Sequence, residues 1–318
     1  MNYFKYLRKI RGDASFRKFY RKKNKNFSSI VVFAEKDKFK NLLVYDAINK
    51  ILVSNKILAP NMYYENYKKN FIEIEDFGNN SIYKILKKKK IKKFIYFKKV
   101  IELLCKIQTI KNRKIKNFKK NTYIIPKYNK EILIEEANLF CNWYINKKLF
   151  KNEKVIFVKE FKKIVTVLTN NLKLKNNVFV HRDFHISNLM LVKQSIGVID
   201  SQDALIGNRA YDLASLVDDV RLKTSESLKK KIFNSYLSKQ KKINKKNFKN
   251  DFDILSVLRN LKIIGIFTRL AIRDGKDKYL RLIPHAWKLI NNRIYKDKVF
   301  SDLENLLKRN FKKELNGN

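Results

Sequence analysis

Val178-Phe179-Val180-His181-Arg182-Asp183-Phe184-His185-Ile186-Ser187-Asn188-Leu189-Met190-Leu191-Val192-Lys193-Gln194-Ser195-Ile196-Gly197-Val198-Ile199-Asp200 is the stretch that decides the fold. An apolar run delivers the chain into a polar loop, and LMLV and IGVI then read as the two strands of a tight hairpin. A hairpin of that length brings its ends back together. Asn188 and Asp200 can therefore converge, and their oxygens are the hard ligands that Mg²⁺ requires.

Phosphoryl transfer from a nucleotide needs a base near the acceptor hydroxyl, ligands for Mg²⁺ and a way to hold the phosphates. The order His181-Arg182-Asp183, with Asn188 five residues after the Asp, has the spacing of a kinase catalytic loop. Read that way, Asp183 accepts the hydroxyl proton, while Asn188 and Asp200 ligate the metal. The competing reading makes the two carboxylates turn residues and Asn188 a cap. The apolar lead-in, the hairpin of fitting length and the terminal Asp weigh against it.

Outward from the loop, the flanks differ in character. Ser15–Arg21 and Ser28–Ala34 are rich in β-branched and aromatic residues and read as neighbouring antiparallel strands. Residues 38–54 have helical apolar spacing, and Phe71–Ile74 returns to strand before Glu75-Asp76-Phe77-Gly78, where a hinge is expected. Beyond it, 96–110, 131–147, 155–173, 209–222, 226–240, 252–274 and 278–292 all have three- and four-residue periodicity. The expected fold is α+β and bilobal, of the protein-kinase-like kind. Residues 1–78 form a small antiparallel-sheet lobe that covers the nucleotide. Residues 79–318 form a larger, mainly helical lobe with the catalytic loop and substrate site.

Composition narrows the classes. The 318 residues, 45% of them apolar, are enough for one large core or two modest ones. Only seven Gly and three Pro occur, without a Gly-, Ser- or Pro-rich run, so an internal hinge is favoured over a flexible linker. Cys105 and Cys141 lie far apart, which predicts two buried, reduced thiols and no disulfide or zinc scaffold. The N-terminus MNYFKYLRKIRGD offers no apolar signal core, and the apolar window LKIIGIFTRLAI is too short to span a bilayer. A cytoplasmic location without membrane insertion follows as the expectation.

A formal net charge of +44 taken alone suggests a polyanion partner. The Lys excess is spread along the chain, however, together with abundant Asn, Ile, Phe and Tyr, all residues with A/T-rich codons. Base composition explains that pattern, and no RNP, C₂H₂ or basic-zipper motif accompanies it. No dedicated nucleic-acid partner is expected, and the oligomeric state stays open.

The chain resembles the aminoglycoside phosphotransferase and choline-kinase-like superfamily, and within it the bacterial branch that phosphorylates the anomeric hydroxyl of N-acetylmuramate and N-acetylglucosamine in cell-wall recycling. The resemblance rests on Gly12–Arg17 (GDASFR), Ile74–Gly78 (IEDFG), Pro126–Trp143, HRDFHISNLM, IGVIDSQDALIGNRAYDLASL and NLKIIGIFTRLAIRDGKDKYL. It implies ATP as donor, Mg²⁺ as cofactor and a small-molecule sugar as acceptor. It makes Asp183 the base and Asn188 and Asp200 the metal ligands, with Arg182 and His185 supporting the loop. Gly12, Asp13, Ala14 and Ser15 would cover the phosphates, and Glu75 would join them in nucleotide binding. Gln202, Asp203, Arg273 and Asp274 are its candidates for holding the sugar, and Asp212 is structural.

Three departures accompany the resemblance. No GxGxxG is present. The strand expected to supply a phosphate-pairing Lys reads Val31-Val32-Phe33-Ala34, leaving Arg17, Arg21 or Lys36 as substitutes. Ser201 stands where the branch tends to have an aromatic residue, which predicts a loss of packing. The open alternatives are a kinase of another alcohol, an aminoglycoside or a protein serine, a nucleotide-binding pseudokinase scaffold, and a polyanion binder.

Overall fold

The computed structural model describes residues 7–10, 17–24, 27–35, 41–88, 91–295 and 297–316. The chain divides into two compact units, Met1–Pro126 with Val178–Ile206, and Lys127–Asn177 with Gly207–Asn318. The expected α+β class, with a small antiparallel sheet early and helices dominating later, is the one the chain forms.

In the first unit, β1 (Leu7–Ile10), β2 (Lys18–Asn24), β3 (Phe27–Phe33), β4 (Met62–Asn66) and β5 (Phe71–Glu75) build one antiparallel sheet in the order β1-β2-β3-β5-β4. β3 is central, and its Ile30, Val31 and Val32 are buried, as expected of a strand covered on both faces. Helix α1 (Asn41–Ser54) packs Leu42 and Tyr45 into a core with Ile30, Val32, Ile72 and Ile74. α2 (Ile82–Leu86), α3 (Lys93–Ile107) and the short hairpin β6 (Lys114–Lys116) with β7 (Thr122–Ile124) follow. The unit then takes up β8 (Asn176–Val180), the polar loop, and the hairpin β9 (Leu189–Val192) with β10 (Ser195–Val198), and β11 (Leu205–Asn208) leads out of it. Strands β1 (LRKI) and β4 (MYYEN) have weak sequence signals because neither alternates apolar and polar residues.

The hairpin is pinned to the front of this unit. Leu191 N–H donates to Asn80 O at 2.8 Å, and Val198 N–H donates to Leu58 O at 2.8 Å. Gly197 lies under the Phe77 ring so closely that an added Cβ would stand 2.7 Å from its edge. The turn expected as a hinge, with Gly78 at φ +77°, is thus packed on the hairpin that carries Asp200.

The second unit is helical: α4 (Lys130–Leu139), a π turn over Phe140–Ile145, α5 (Asn146–Lys148), α6 (Lys151–Asn170), α7 (Ala210–Val217), α8 (Glu226–Ser238), α9 (Lys245–Asp274), α10 (Ile283–Ile294) and α11 (Ser301–Asn316). Periodicity places most of these, but α9 starts seven residues before the expected 252, and α11 was not anticipated. α10 begins with Pro284 in its first turn, so the expected helix from 278 opens as a 3₁₀ segment, Asp277–Leu282. Phe140 meets Phe157 and Phe161 at a tilt and Trp287 and Phe311 edge-on in the core. Cys141 is buried, with its thiol pushed up to about 12 by desolvation, whereas Cys105 is only half-buried. Among the described residues no helix is long and apolar enough to cross a membrane.

Candidate active site

The polar loop hangs on buried apolar anchors. Phe184, Ile186 and Leu189 are fully buried, whereas Asp183, Ser187 and Asn188 are only partly buried and stay within reach of solvent. His181, also fully buried, meets Phe184 edge-on, and desolvation pushes its pKa down to about 4. It is therefore a neutral imidazole at neutral pH. Arg182 adopts φ +70° and donates from Nη1 to the Asp203 carbonyl at 3.1 Å. That strained backbone turns the next residue, Asp183, out of line with the strand.

Asp183 is held by its carbonyl, which accepts from the His185 N–H at 2.9 Å and from Asn188 Nδ2 at 3.1 Å. His185 is buried and opens the one-turn helix Ile186–Asn188, where its own carbonyl receives the Asn188 N–H. Arg182 and His185 thus meet the loop through backbone groups, the Asp203 carbonyl for Arg182 and the Asp183 carbonyl and Asn188 N–H for His185. With its Nδ2 engaged on Asp183, the Asn188 side chain keeps Oδ1 for another partner.

The hairpin then returns as its length predicts. Val198 pairs with Leu189, and Ile199 N–H donates to Asn188 O at 3.0 Å, which sets Asp200 beside Asn188. Asp200 has φ +63°, a costly value for a residue with a Cβ. What holds it is the next residue: Ser201 is fully buried and donates to Asn49 Oδ1 of α1 at 2.7 Å, and Asn49 in turn donates to Pro60 O. The predicted loss of packing at Ser201 is therefore replaced by a buried hydrogen bond that fixes Asp200 to the sheet-bearing part of the unit. Asn49 escaped the sequence reading. Its signal was a polar residue seven positions after Leu42, on the buried stripe of an apolar helix.

Gln202 Nε2 donates to Asp203 Oδ2 at 2.5 Å and also reaches Asp200. Desolvation raises the Asp200 pKa, Arg17 opposes that rise, and Asp183 and Asp203 reinforce it. The structure thus gathers Asp183, Asn188, Asp200, Gln202 and Asp203 around one spot. Arg273 and Asp274 lie in the second unit, exposed at the C-terminus of α9, where Arg273 Nε and Nη2 grip both oxygens of Asp274 at 2.7 and 3.0 Å.

On the sheet, the candidate cations part ways. Arg21 of β2 contacts Asp76 at 2.6 Å and donates to Asn79 Oδ1 and Gly78 O, so it clamps the hinge turn. Arg17, just before β2, reaches Asp200 Oδ1 with Nη2 at 2.7 Å. Glu75 receives Asn61 Nδ2 at 2.8 Å, tying its carboxylate to the start of β4. Gly12, Asp13, Ala14, Ser15 and Lys36 lie outside the described residues.

The donor set suits a hard divalent cation: one carboxylate, one amide oxygen and further acid charge nearby. The Asp200 side chain remains 37% exposed, so a cation has access to it. Among the described residues no three acidic, imidazole or thiol groups gather into a metal site of their own. Magnesium does not need such a cage, because phosphate and water oxygens complete its octahedron.

The sequence pattern of the phosphotransferase enzyme family matches residues 7–243. An N-acetylmuramate/N-acetylglucosamine kinase of Neisseria meningitidis serogroup B is 29% identical over 282 residues, covering 86% of this chain and 80% of that protein. A protein of the same description from Pseudomonas aeruginosa is 26% identical over 301 residues, covering 93% of this chain and 86% of the relative. In fold, the chain is similar to a choline/ethanolamine kinase family protein from Mesorhizobium loti, with a TM-score of 0.62 at 10% identity over 97% of this chain and 94% of that one. A loop with the order and spacing of a phosphotransfer site, on a fold shared with kinases and within a matched span of most of the chain, leads to one conclusion: the chain belongs to the phosphotransferase enzyme family.

Proposed function

We propose that this phosphotransferase moves the γ-phosphoryl group of ATP onto a sugar, at the anomeric hydroxyl of N-acetylmuramate or N-acetylglucosamine, in the cytoplasm and in the service of cell-wall recycling. The observation that carries the phosphotransfer part is the convergence of Asp183, Asn188 and Asp200 at the mouth of one hairpin. The acceptor is supported by the relatives, two of which are described as kinases of these two sugars.

Asp183 takes the proton of the attacking hydroxyl, positioned by the two hydrogen bonds to its carbonyl. Asn188 Oδ1 and Asp200 would hold Mg²⁺, which when bound supplies charge to neutralise the phosphates. Residues 1–78 are assigned the covering of the nucleotide, through Gly12–Ser15 and Glu75, and residues 79–318 the catalytic loop and acceptor. Gln202 and Asp203, beside the base, are assigned to the acceptor. Arg273 and Asp274 remain acceptor candidates on sequence resemblance, and variants of both belong in the same assay.

An anomeric hydroxyl is more acidic than other sugar hydroxyls, which reduces what the base must do in a site built from positioning and charge. The deciding experiment measures nucleotide consumption over free sugars and their 1-O-methyl glycosides. A sugar 1-phosphate forms from the free sugars and the glycosides are inert. Equal phosphorylation of the methyl glycosides refutes the anomeric assignment, and consumption with other alcohols alone refutes the sugar.

A further inference from the structure

Arg17 is buried at 5% exposure, and a guanidinium in that position needs an anion, since removing the partner of a buried charge is strongly unfavourable. Asp200 is an anion that it meets, with Oδ1 2.7 Å from Nη2. Asn41 Oδ1 accepts from Nη1 at 3.3 Å, and the guanidinium also lies 5.9 and 5.8 Å from the Phe19 and Tyr45 ring centres. Of the other cations on these strands, Arg21 is committed to the hinge turn, Lys22 to the buried Glu73 at 3.1 Å and Lys18 to Glu35 at 3.7 Å, while Arg8, Lys9 and Lys23 are exposed. β3 carries no cation at all.

We propose that Arg17 is the phosphate-pairing cation of this chain, and that Asp200 holds it as an internal counter-ion until the metal and nucleotide arrive together. This rests on the phosphotransfer reading above and adds a coupling to it. A divalent cation entering at Asp200 alone meets a carboxylate already neutralised by Arg17, and it repels the guanidinium without offering it another anion. A nucleotide changes that balance, because its phosphate oxygens give Arg17 a bidentate partner as the metal takes Asp200. Metal and nucleotide therefore favour each other's binding reciprocally. The arrangement also answers why the chain manages without a Lys on β3: the positive charge comes from the residue preceding β2.

The test is calorimetric titration with Mn²⁺ alone, adenylyl imidodiphosphate alone, and each in the presence of the other. It is applied to the wild type, Arg17→Gln and Arg17→Lys, with thermal unfolding as a check on folding. In the wild type each ligand tightens the other by about 10-fold or more. Arg17→Gln binds Mn²⁺ alone more tightly, by about 3- to 10-fold, yet binds the Mn²⁺–nucleotide pair about 10- to 100-fold more weakly, so the coupling collapses. Arg17→Lys, which keeps the charge but loses the fork, falls between them. Opposite signs for the two affinities are the signature that a merely structural arginine would not produce. Wild-type coupling near unity overturns the latch without any variant, as does an Arg17→Gln chain whose two affinities stay unchanged or fall together. A wild-type chain that binds no nucleotide analogue overturns the phosphotransfer reading itself and the latch with it.

Discussion

Asp183 and Asp200 differ in what surrounds them, and the difference predicts distinct defects. Asp183 presents its carboxylate from a loop whose geometry is set by bonds to its carbonyl, so Asp183→Asn leaves that loop in place. Turnover should fall about 10²- to 10⁴-fold with nucleotide affinity nearly unchanged. Asp200→Ala removes the oxygen proposed to ligate the metal together with the counter-ion of Arg17, so it should weaken the metal–nucleotide complex itself, as equilibrium titration would reveal. Near-normal turnover in both variants would rule out these assignments. His181 makes a separate prediction through pH. Its folded pKa of about 4 lies below that of an exposed histidine, so on acidification the unfolded chain takes up the proton first. The site's contribution to stability is intact above about pH 6.5 and lost as pH falls toward about 4, by on the order of 3 kcal/mol. His181→Gln should flatten that part of the stability–pH curve in denaturant titrations. An unchanged slope would mean the imidazole is not buried neutral.

At the scale of elements, two glycines mark where chain segments come too close for a side chain. An added Cβ at Gly265 of α9 would stand 2.2 Å from Leu139 O and 2.6 Å from Phe140 N, at the junction where α4 passes into its π turn. Alanine has the better helix propensity by about 1 kcal/mol, but the obstacle is backbone and cannot rotate aside. Gly265→Ala should therefore destabilise, by about 3 kcal/mol net, with a lowered Tm. At Gly197 the obstacle is the Phe77 ring edge at 2.7 Å, which has some freedom to turn. Gly197→Ala should cost less stability than Gly265→Ala while disturbing the hairpin that aims Asp200, so it should reduce nucleotide binding more than Tm. The reverse order in both measurements would contradict this account of the two contacts.

For the whole molecule, the formal charge of +44 is expected to come from composition and not from a surface built for a polyanion. Any DNA binding should be weak, indifferent to sequence and lost as salt rises from about 50 to 200 mM, because counterion release alone drives it. Tight, sequence-selective binding at physiological salt in a filter-binding assay would reverse that reading. The sequence by itself determined the α+β class, most of the helices and the loop-and-hairpin stretch, because periodicity and the HRD-to-Asn spacing are local: residues a few positions apart decide them. The convergence of Asn188 with Asp200 was legible for the same reason, since a tight hairpin has one way to close. Edge strands β1 and β4 were not, because their alternation is weak, and neither was the π turn, which answers to Gly265 more than a hundred residues away. The choice among Arg17, Arg21 and Lys36 was open for a deeper reason. Arg17 and Arg21 are flexible cations four positions apart, and only the tertiary structure decides which carboxylate each of them meets: Asp76 for Arg21, Asp200 for Arg17. Ser201 makes the same point, because whether a small polar residue leaves a void or makes a bond depends on Asn49, brought to it from 152 positions earlier in the chain.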